Sequence, residues 1–228
     1  MFSEAFRLDN ILNACEKIWY FLKVNILFII FNLPILLFLL FVGFGQIRTY
    51  LPLFMLCAVF FGPAISAVFF CMNRLLHKYD TGAFRDFMKS YFDSLGRKFS
   101  ISFIHMFFTL VFWTNIEFFT KDMKIFPLSL LFVIAFVLAV LITPNLYLLT
   151  SRYEMSIKDT FIGAITITVT RPLLTLSNFI IFTFVLMLFE IKAGTFVLFI
   201  SSIYGFLIVF MNQKVFKELD ECSKEKES

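Results

Sequence analysis

Charged residues are scarce in this chain of 228 residues: Asp, Glu, Lys and Arg make up 16% of it, whereas hydrophobic residues make up 60%. Soluble globular domains contain about 25% charged and about 45–50% apolar residues. With a mean hydropathy of +0.89, the chain has too few charges to cover a surface that faces water. The composition therefore predicts an integral membrane protein, with lipid around most of its surface.

Residues that bind metals or form disulfides are also few. The chain has two histidines and four cysteines, at Cys15, Cys57, Cys71 and Cys222, and it has no Cys-x-x-Cys pair. Neither a zinc site nor a disulfide framework has this spacing. We therefore expect reduced thiols and no metal or other cofactor.

The common catalytic and nucleotide-binding motifs are missing from the sequence. It contains no Gly-x-x-x-x-Gly-Lys-Ser/Thr loop for phosphates, no His-Glu-x-x-His and no Gly-x-Ser-x-Gly. We therefore predict a protein that is not an enzyme, and energy from nucleotides would require another subunit. The first 17 residues carry charges before any long apolar run, unlike a cleaved signal peptide.

Long apolar runs dominate what is present. A helix needs about 20 apolar residues to cross about 30 Å of hydrocarbon, and continuous apolar runs favour helices over the alternating strands of a membrane barrel. We predict an all-α membrane domain over 18–216, between a cytoplasmic segment 1–17 and a charged cytoplasmic tail 217–228. Its six predicted transmembrane helices cover approximately 18–42, 51–76, 99–119, 126–151, 173–189 and 195–216.

The basic residues indicate how these helices are oriented. Sixteen of the 20 Lys and Arg residues fall in the N-terminal part, the second and fourth connections and the C-terminal part. Because positively charged loops stay in the cytoplasm, we predict that both termini are cytoplasmic. The net charge of +4 then reflects this topology and anionic lipid headgroups, and we expect no nucleic-acid partner.

Two connections on the basic side are predicted to be amphipathic helices at the membrane surface, over about 82–97 and 157–170. In the first, apolar residues recur at steps of three and four, with charged residues between them. We expect Phe87 to face the bilayer and Asp86 to be solvated. This helix either anchors its loop or docks a cytosolic partner. In the second, Ser156 and Asp159 resemble a capping box.

Polar side chains inside the spans are candidates for function, because polar groups are costly in lipid. Asn25 and Asn32 are seven residues apart and share a face of the first span. They suit hydrogen bonds between helices or, alternatively, contact with a substrate. We expect His105 to be hydrogen-bonded within the bundle rather than to relay protons, because Glu117 is three turns away.

Prolines interrupt three of the predicted spans, at Pro34, Pro63 and Pro144. Each frees a backbone carbonyl that another group must satisfy. Gly62, beside Pro63, allows a neighbouring backbone to approach closely. The unit of a proline-bearing span, an interfacial helix and a further span occurs around Pro63 and again around Pro144. Such breaks expose backbone groups that bind solutes in some transporters.

Three stretches resemble the YesL-like family of bacterial membrane proteins. They contain Asn25 to Ile35 with Asn32-Leu33-Pro34; Gly62-Pro63-Ala64, Arg74 and Phe84-Arg85-Asp86-Phe87; and Pro144, Arg152-Tyr153-Glu154 and Asp159-Thr160-Phe161. The resemblance implies a bacterial plasma-membrane protein with a role near carbohydrate import, and it implies no catalytic residues. The turn at 43–50 separates the first proline from Gly62 by more residues than is usual in the family.

We therefore predict a non-enzymatic accessory or regulatory protein of solute uptake, with a sugar ABC transporter as a partner. The segment 159–174 is also similar to the coupling loop of ABC-transporter permeases, although it lacks their Glu-Ala-Ala. A transporter with a site near Pro63 and Pro144 is the first alternative. An intramembrane enzyme that depends on a polar residue such as His105 or Glu190 is the second.

Overall fold

The computed structural model describes residues 8–77, 82–191 and 197–227, which are almost entirely helical and contain no strand. The all-α class is therefore confirmed. A 3-10 turn at Phe44–Gln46 and a π-helical turn at Phe118–Asp122 lie between α-helices. In chain order the described α-helices are α1 (Leu8–Phe31), α2 (Leu33–Phe41), α3 (Leu51–Ala58), α4 (Phe61–Leu76), α5 (Ala83–Phe92), α6 (Leu95–Glu117), α7 (Phe126–Arg152), α8 (Ile157–Thr170), α9 (Pro172–Ile191) and α10 (Ile200–Glu227).

Several helices are long and apolar enough to cross a membrane. Three segments qualify on their own, namely Leu51–Leu76, which α3 and α4 form together, Leu95–Lys121 and Phe126–Arg152. They exceed the roughly 20 residues that a bilayer requires, and they contain the predicted spans 51–76, 99–119 and 126–151. Two bent pairs, Cys15–Phe31 with Leu33–Phe41 and Ile157–Thr170 with Pro172–Leu188, also qualify. The described residues thus hold three to five such segments.

The C-terminal helix differs from its prediction. The predicted span 195–216 begins outside the described residues, and the rest of it belongs to α10. The second half of α10 is rich in charged residues, and this helix is not among those that qualify by length and hydropathy. It continues to Glu227, so most of the predicted tail 217–228 extends a helix. At the other terminus, α1 already begins at Leu8, inside the segment predicted at 1–17.

The first predicted span, 18–42, is not one straight helix. Its two parts, α1 and α2, meet at 60°, and Asn32 leaves helical geometry with φ −99° and ψ 10°. Pro34 explains the break, because its ring lacks an N–H donor and clashes with the preceding turn. The Asn32 side chain donates to the carbonyl oxygen of Phe28 at 2.8 Å, so its amide bonds within α1 rather than to a neighbouring helix.

The centre of the bundle is α4, where every residue from Gly62 to Phe69 is buried. A Cβ atom added at Gly62 would lie 2.4 Å from Cβ of Ser102 on α6. At the contact between α4 and α10, a Cβ added at Gly205 of α10 would lie 2.6 Å from the Val68 side chain. Small residues therefore let α6 and α10 approach α4 closely. Pro63 lies in the first turn of α4. Helices α3 and α4 follow each other closely enough to form one apolar segment from Leu51 to Leu76.

The interfacial helix predicted at 82–97 ends earlier than expected. Helix α5 stops at Phe92 because Asp93 is extended, with ψ 125°, and Ser94 adopts a left-handed conformation with φ 49°. Helix α6 then begins at Leu95, four residues before the span predicted at 99–119. The short polar side chains of Asp and Ser compete with the helix for backbone hydrogen bonds, and the two residues form the corner between α5 and α6.

Helix α8 meets α9 at 97°, so the chain turns a right-angled corner at Arg171 and Pro172. The Ser156 hydroxyl accepts a hydrogen bond from the Asp159 N–H at 3.2 Å and caps the start of α8. The Asp159 carboxylate accepts from the same hydroxyl at 2.6 Å. The observed bounds of α8, Ile157–Thr170, coincide with the predicted helix 157–170.

The connections sort onto two ends of the bundle. At one end, Arg97 donates to the carbonyl oxygens of Tyr153 and Met155, both at 2.8 Å, so the connections after α4 and after α7 meet. The start of α9 and the end of α10 meet at the same end through the ion pair between Arg171 and Glu218. We call this the basic end.

At the opposite end, Arg48 lies 4.0 Å from the carboxylate of Glu117. The turn that follows α2 and the turn that follows α6 therefore lie together, away from the basic end.

Candidate functional site

Candidate residues from three helices meet at the level of Gly62 and Pro144. The Gly62 N–H donates to the Ser102 hydroxyl at 3.2 Å, and a Cβ added at Gly62 would lie 2.9 Å from the ring of Tyr147. Tyr147 follows Pro144 by three residues on α7, and its hydroxyl is 3.3 Å from Nδ1 of His105. The two proline-bearing segments and His105 thus share one packed region, although they are far apart in sequence.

His105 is buried and has a partner for each ring nitrogen. Nε2 lies 3.3 Å from the Ala139 carbonyl oxygen and 3.2 Å from the Thr143 hydroxyl, and that hydroxyl itself donates to Ala139 at 3.0 Å. Because a carbonyl only accepts, this network assigns the proton to Nε2 and makes Nδ1 the acceptor of the Tyr147 O–H. The neutral imidazole therefore joins α6 to α7.

Two adjoining cavities lie beside this network, with volumes of about 190 Å³ and 220 Å³. Thr143, Pro144, Phe182 and Tyr204 line both of them. The remaining lining of the first cavity consists of Phe28, Phe61, Ile65, Phe69, Tyr147, Val185, Leu186 and Ile200. The remaining lining of the second consists of His105, Met106, Thr109, Val140, Leu141, Thr175, Asn178 and Phe179. Apolar atoms form nearly all of the surface of both cavities, although the lining of the second also includes polar residues such as His105 and Asn178.

An asparagine ladder crosses the bundle next to the second cavity, and sequence reasoning missed it. Asn212 donates to Asn178 at 3.0 Å, Asn178 donates to Asn145 at 3.3 Å, and Asn145 donates to the Thr168 hydroxyl at 2.8 Å. All four side chains are buried, and they belong to α10, α9, α7 and α8. Their only signal in the sequence is an asparagine within each of three apolar runs.

Asn25 makes a second polar connection between distant parts of the chain. Its amide donates to the Val197 carbonyl at 2.7 Å, and its oxygen accepts from the backbone N–H and the hydroxyl of Ser201. Asn25 is completely buried, so α1 is fixed to the start of α10. These bonds join two distant parts of the chain, as hydrogen bonds between membrane helices do.

The charged residues predicted on α5 lie differently from their predictions. Asp86 is buried and pairs with Arg74 across 3.3 Å, so it is not solvated. Phe87 is also fully buried, with its ring centroid 5.5 Å from that of Phe31, so it does not face the bilayer. Helices α1 and α4 pack against one edge of the apolar surface of α5.

The other edge of α5 is exposed. Phe84 and Phe92 lie along it, and Arg85 and Lys89 are exposed beside them. This helix therefore has a buried face against α1 and α4, an exposed apolar stripe and an exposed basic stripe.

Arg152 and Glu154 help to join the connections at the basic end. The Arg152 guanidinium lies 4.7 Å from the ring centroid of Phe216 on α10, and Glu154 accepts a long hydrogen bond, 3.5 Å, from the Ser94 hydroxyl. Nearby, the buried Lys98 ammonium donates to the Ser90 carbonyl at the end of α5. These contacts join the end of α7 to α10, the connection before α8 to the corner before α6, and α6 to the end of α5.

In the part of the chain that the structure describes, no three His, Cys, Asp or Glu residues cluster in a way that could hold a metal ion.

Comparisons with protein-family models, with curated proteins and with solved structures found no match to this chain. The functional argument therefore depends on the geometry of the two cavities and of the basic end.

Proposed function

We propose that this chain is a multi-pass protein of the bacterial plasma membrane, with about six transmembrane helices and cytoplasmic termini. In this proposal it is not an enzyme, and it acts as an accessory or regulatory component of solute uptake. The observation that carries the proposal is a platform of two helices at the basic end. The platform consists of α5 and α8, which protein contacts hold to the bundle while each leaves an amphipathic face exposed.

The exposed surface of the helices supports a location in lipid. Only 11% of the most apolar part of α7 is buried inside the protein. Phe126, Leu131 and Ile134 are among the large apolar side chains that it exposes. A continuous apolar surface of this extent is unfavourable in water but favourable in a bilayer.

The basic end supports the proposed orientation. It gathers the connections that contain most of the Lys and Arg residues of the chain, and such connections remain in the cytoplasm. Arg85 and Lys89 are exposed there beside Phe84, and Lys158 precedes the exposed Ile162 and Ile165 on α8. This combination suits the boundary between anionic headgroups and acyl chains.

The fixed position of the platform supports a docking role. The ion pair of Asp86 with Arg74 and the buried ring of Phe87 hold α5, and Asn145 holds α8 through Thr168. A surface that is ordered before binding loses less entropy when a partner docks. The family resemblance points to carbohydrate import, so the proposed partner is a subunit of a sugar ABC transporter.

The two cavities favour a second candidate function, a transporter with its site near Pro63 and Pro144. Bent or interrupted helices line solute sites in several transporters, and here both proline-bearing segments contribute to one region. However, a sugar requires hydrogen-bond partners for its hydroxyl groups. The polar atoms of His105 and Asn178 already bond to other protein groups, which favours the accessory role.

Affinity purification from native membranes tests the docking role. We expect a permease or ATPase subunit of an uptake system to co-purify with the wild-type chain. The double variant Arg85→Glu with Lys89→Glu should lose that subunit, because it reverses the charge of the exposed basic stripe. The variant Lys121→Glu is the control, because Lys121 is exposed at the opposite end.

Proteoliposomes that contain only this protein separate the two candidates. An accessory protein should not move a labelled sugar across the vesicle membrane without its partner. Saturable sugar uptake by the purified chain would support the transporter instead. Equal recovery of the uptake subunit with the wild type and the double variant would exclude the platform as its docking surface.

A further inference from the structure

The two cavities open toward the outside of the bundle beside α9. Helices α6 and α9 make little direct contact, and both line the second cavity. Phe179, Phe182 and Leu186 of α9 line the cavities and are also exposed on the outer surface. In a bilayer this surface faces lipid, so a molecule dissolved in the hydrocarbon phase reaches the cavities without crossing water.

The size and lining of the cavities define what they accept. An apolar cavity of about 150 Å³ stays dry and binds a molecule of benzene, and each cavity here is larger. Aromatic rings surround the first cavity and offer their faces and edges to another ring. Because Pro144 and Phe182 line both cavities, ring-sized groups held in the two cavities would lie next to each other.

Tyr204 provides an independent indication of a ligand. It lines both cavities, and its ring packs 6.1 Å from that of Phe69 and 6.3 Å from that of Phe182, measured between centroids. Its hydroxyl makes no hydrogen bond with the described residues. A tyrosine hydroxyl that is withdrawn from water normally has a partner. The hydroxyl at this wall is therefore free to donate to an acceptor atom of a bound molecule.

We propose that the cavities bind a small apolar molecule of the membrane that has ring-sized hydrocarbon parts and one acceptor oxygen. The oxygen accepts a hydrogen bond from Tyr204, and the hydrocarbon parts fill the spaces on the two sides of Pro144. This inference depends on the proposed membrane location, but it does not depend on a docking partner.

Photolabelling with benzophenone tests the proposal directly. This probe has two rings and one carbonyl oxygen, and irradiation attaches it to nearby C–H groups. The protein is reconstituted in phosphatidylcholine vesicles and irradiated with the probe, and the modified residues are mapped by mass spectrometry. We expect adducts around Pro144, Phe182 and Tyr204, well above those on the exposed face of α7.

Matched variants separate binding from partition into the bilayer. Val185→Phe fills the first cavity and should abolish its adducts. Val133→Phe, the same change at an exposed position that lines neither cavity, should leave them unchanged. If Val185→Phe does not fold, Met106→Phe in the second cavity takes its place, with the exposed Met187→Phe as control. Adducts that are scattered over the surface and are equal in filled and control variants would overturn the proposal.

The hydrogen bond is tested by competition between fluorenone and fluorene, which have the same rings and differ in the carbonyl oxygen. Fluorenone should displace benzophenone better than fluorene from the wild type, and Tyr204→Phe should remove this difference. An equal preference for fluorenone in both proteins would exclude the role of Tyr204. Release of the chain from vesicles by an alkaline wash would instead contradict the membrane location, so the two failures are distinguishable.

Discussion

A single methyl group has no room at Gly62, because α6 and α7 both press against this position. A Cβ there would come within 2.4 Å of Ser102 and 2.9 Å of Tyr147. Gly62→Ala should therefore lower the free energy of unfolding by about 1–3 kcal/mol, the usual cost of overpacking. Unfolding in detergent, followed by circular dichroism, measures this difference.

Gly96 provides the matched control for Gly62. It lies in the first turn of α6, and a Cβ there would meet no atom within 4 Å. Gly96→Ala should leave stability unchanged or raise it by up to about 1 kcal/mol, because Ala favours helix more than Gly does. Equal destabilisation by both substitutions would mean that α4 and α6 do not pack as closely as described.

The asparagine ladder allows a second prediction for a single residue. Asn178→Leu keeps a similar side-chain volume but removes a donor to Asn145 and an acceptor from Asn212. We expect a loss of about 1–2 kcal/mol of stability, in the range measured for polar contacts between membrane helices. Thr183→Val is the control, because the exposed Thr183 hydroxyl bonds only within its own helix. If both variants melt at the same temperature, the ladder does not hold the helices together.

At the scale of a helix, α5 has one apolar edge against protein and another that is exposed. Phe87 lies on the first edge and Phe84 on the second. Phe87→Asp should therefore destabilise the bundle by more than the roughly 3 kcal/mol that core Phe truncations cost. Phe84→Asp should change stability in detergent by less than about 0.5 kcal/mol, while weakening the attachment of α5 to the bilayer.

Limited proteolysis in membranes distinguishes these two outcomes for α5. Cleavage between residues 82 and 98 should increase in Phe84→Asp while the rest of the chain remains resistant. In Phe87→Asp, resistance should be lost throughout the protein. If Phe84→Asp is as resistant as the wild type, the exposed apolar stripe does not contact lipid.

The sequence predicted the all-helical class and the helices around 51–76, 99–119 and 126–151, but it did not predict how the helices are rotated about their axes. Continuous apolar runs located the long helices because hydrogen bonding in lipid leaves few other structures, and Ser156 marked the start of α8. The apolar residues at steps of three and four on α5 could not show whether Phe87 faced protein or lipid, because both environments are apolar. The asparagine ladder was missed for a related reason. Asn145, Asn178 and Asn212 lie on three different helices, and only their packing brings them together.

At the scale of the whole molecule, polar contacts are concentrated in two places. One is the basic end, where Arg97, Arg171 and Asp86 join connections between helices. The other is the interior, where His105 bonds to Tyr147 and the asparagines of the ladder bond to one another. The outer surface of the helices exposes many large apolar side chains. This arrangement is expected of a chain whose helices exchange hydrogen bonds with each other because the surrounding hydrocarbon offers none.

At the scale of the whole molecule, we predict that the basic end and the opposite end of the bundle lie on different sides of the membrane. In a background without native cysteines, Lys89→Cys and Lys121→Cys place one thiol at each end of the bundle, both at exposed positions. Because basic connections are retained in the cytoplasm, a membrane-impermeant maleimide should label residue 121 in intact cells. It should label residue 89 only after the membrane is permeabilised. Labelling of both thiols in intact cells would contradict a chain that crosses the bilayer between α5 and the turn after α6, since one compartment would then contain both ends.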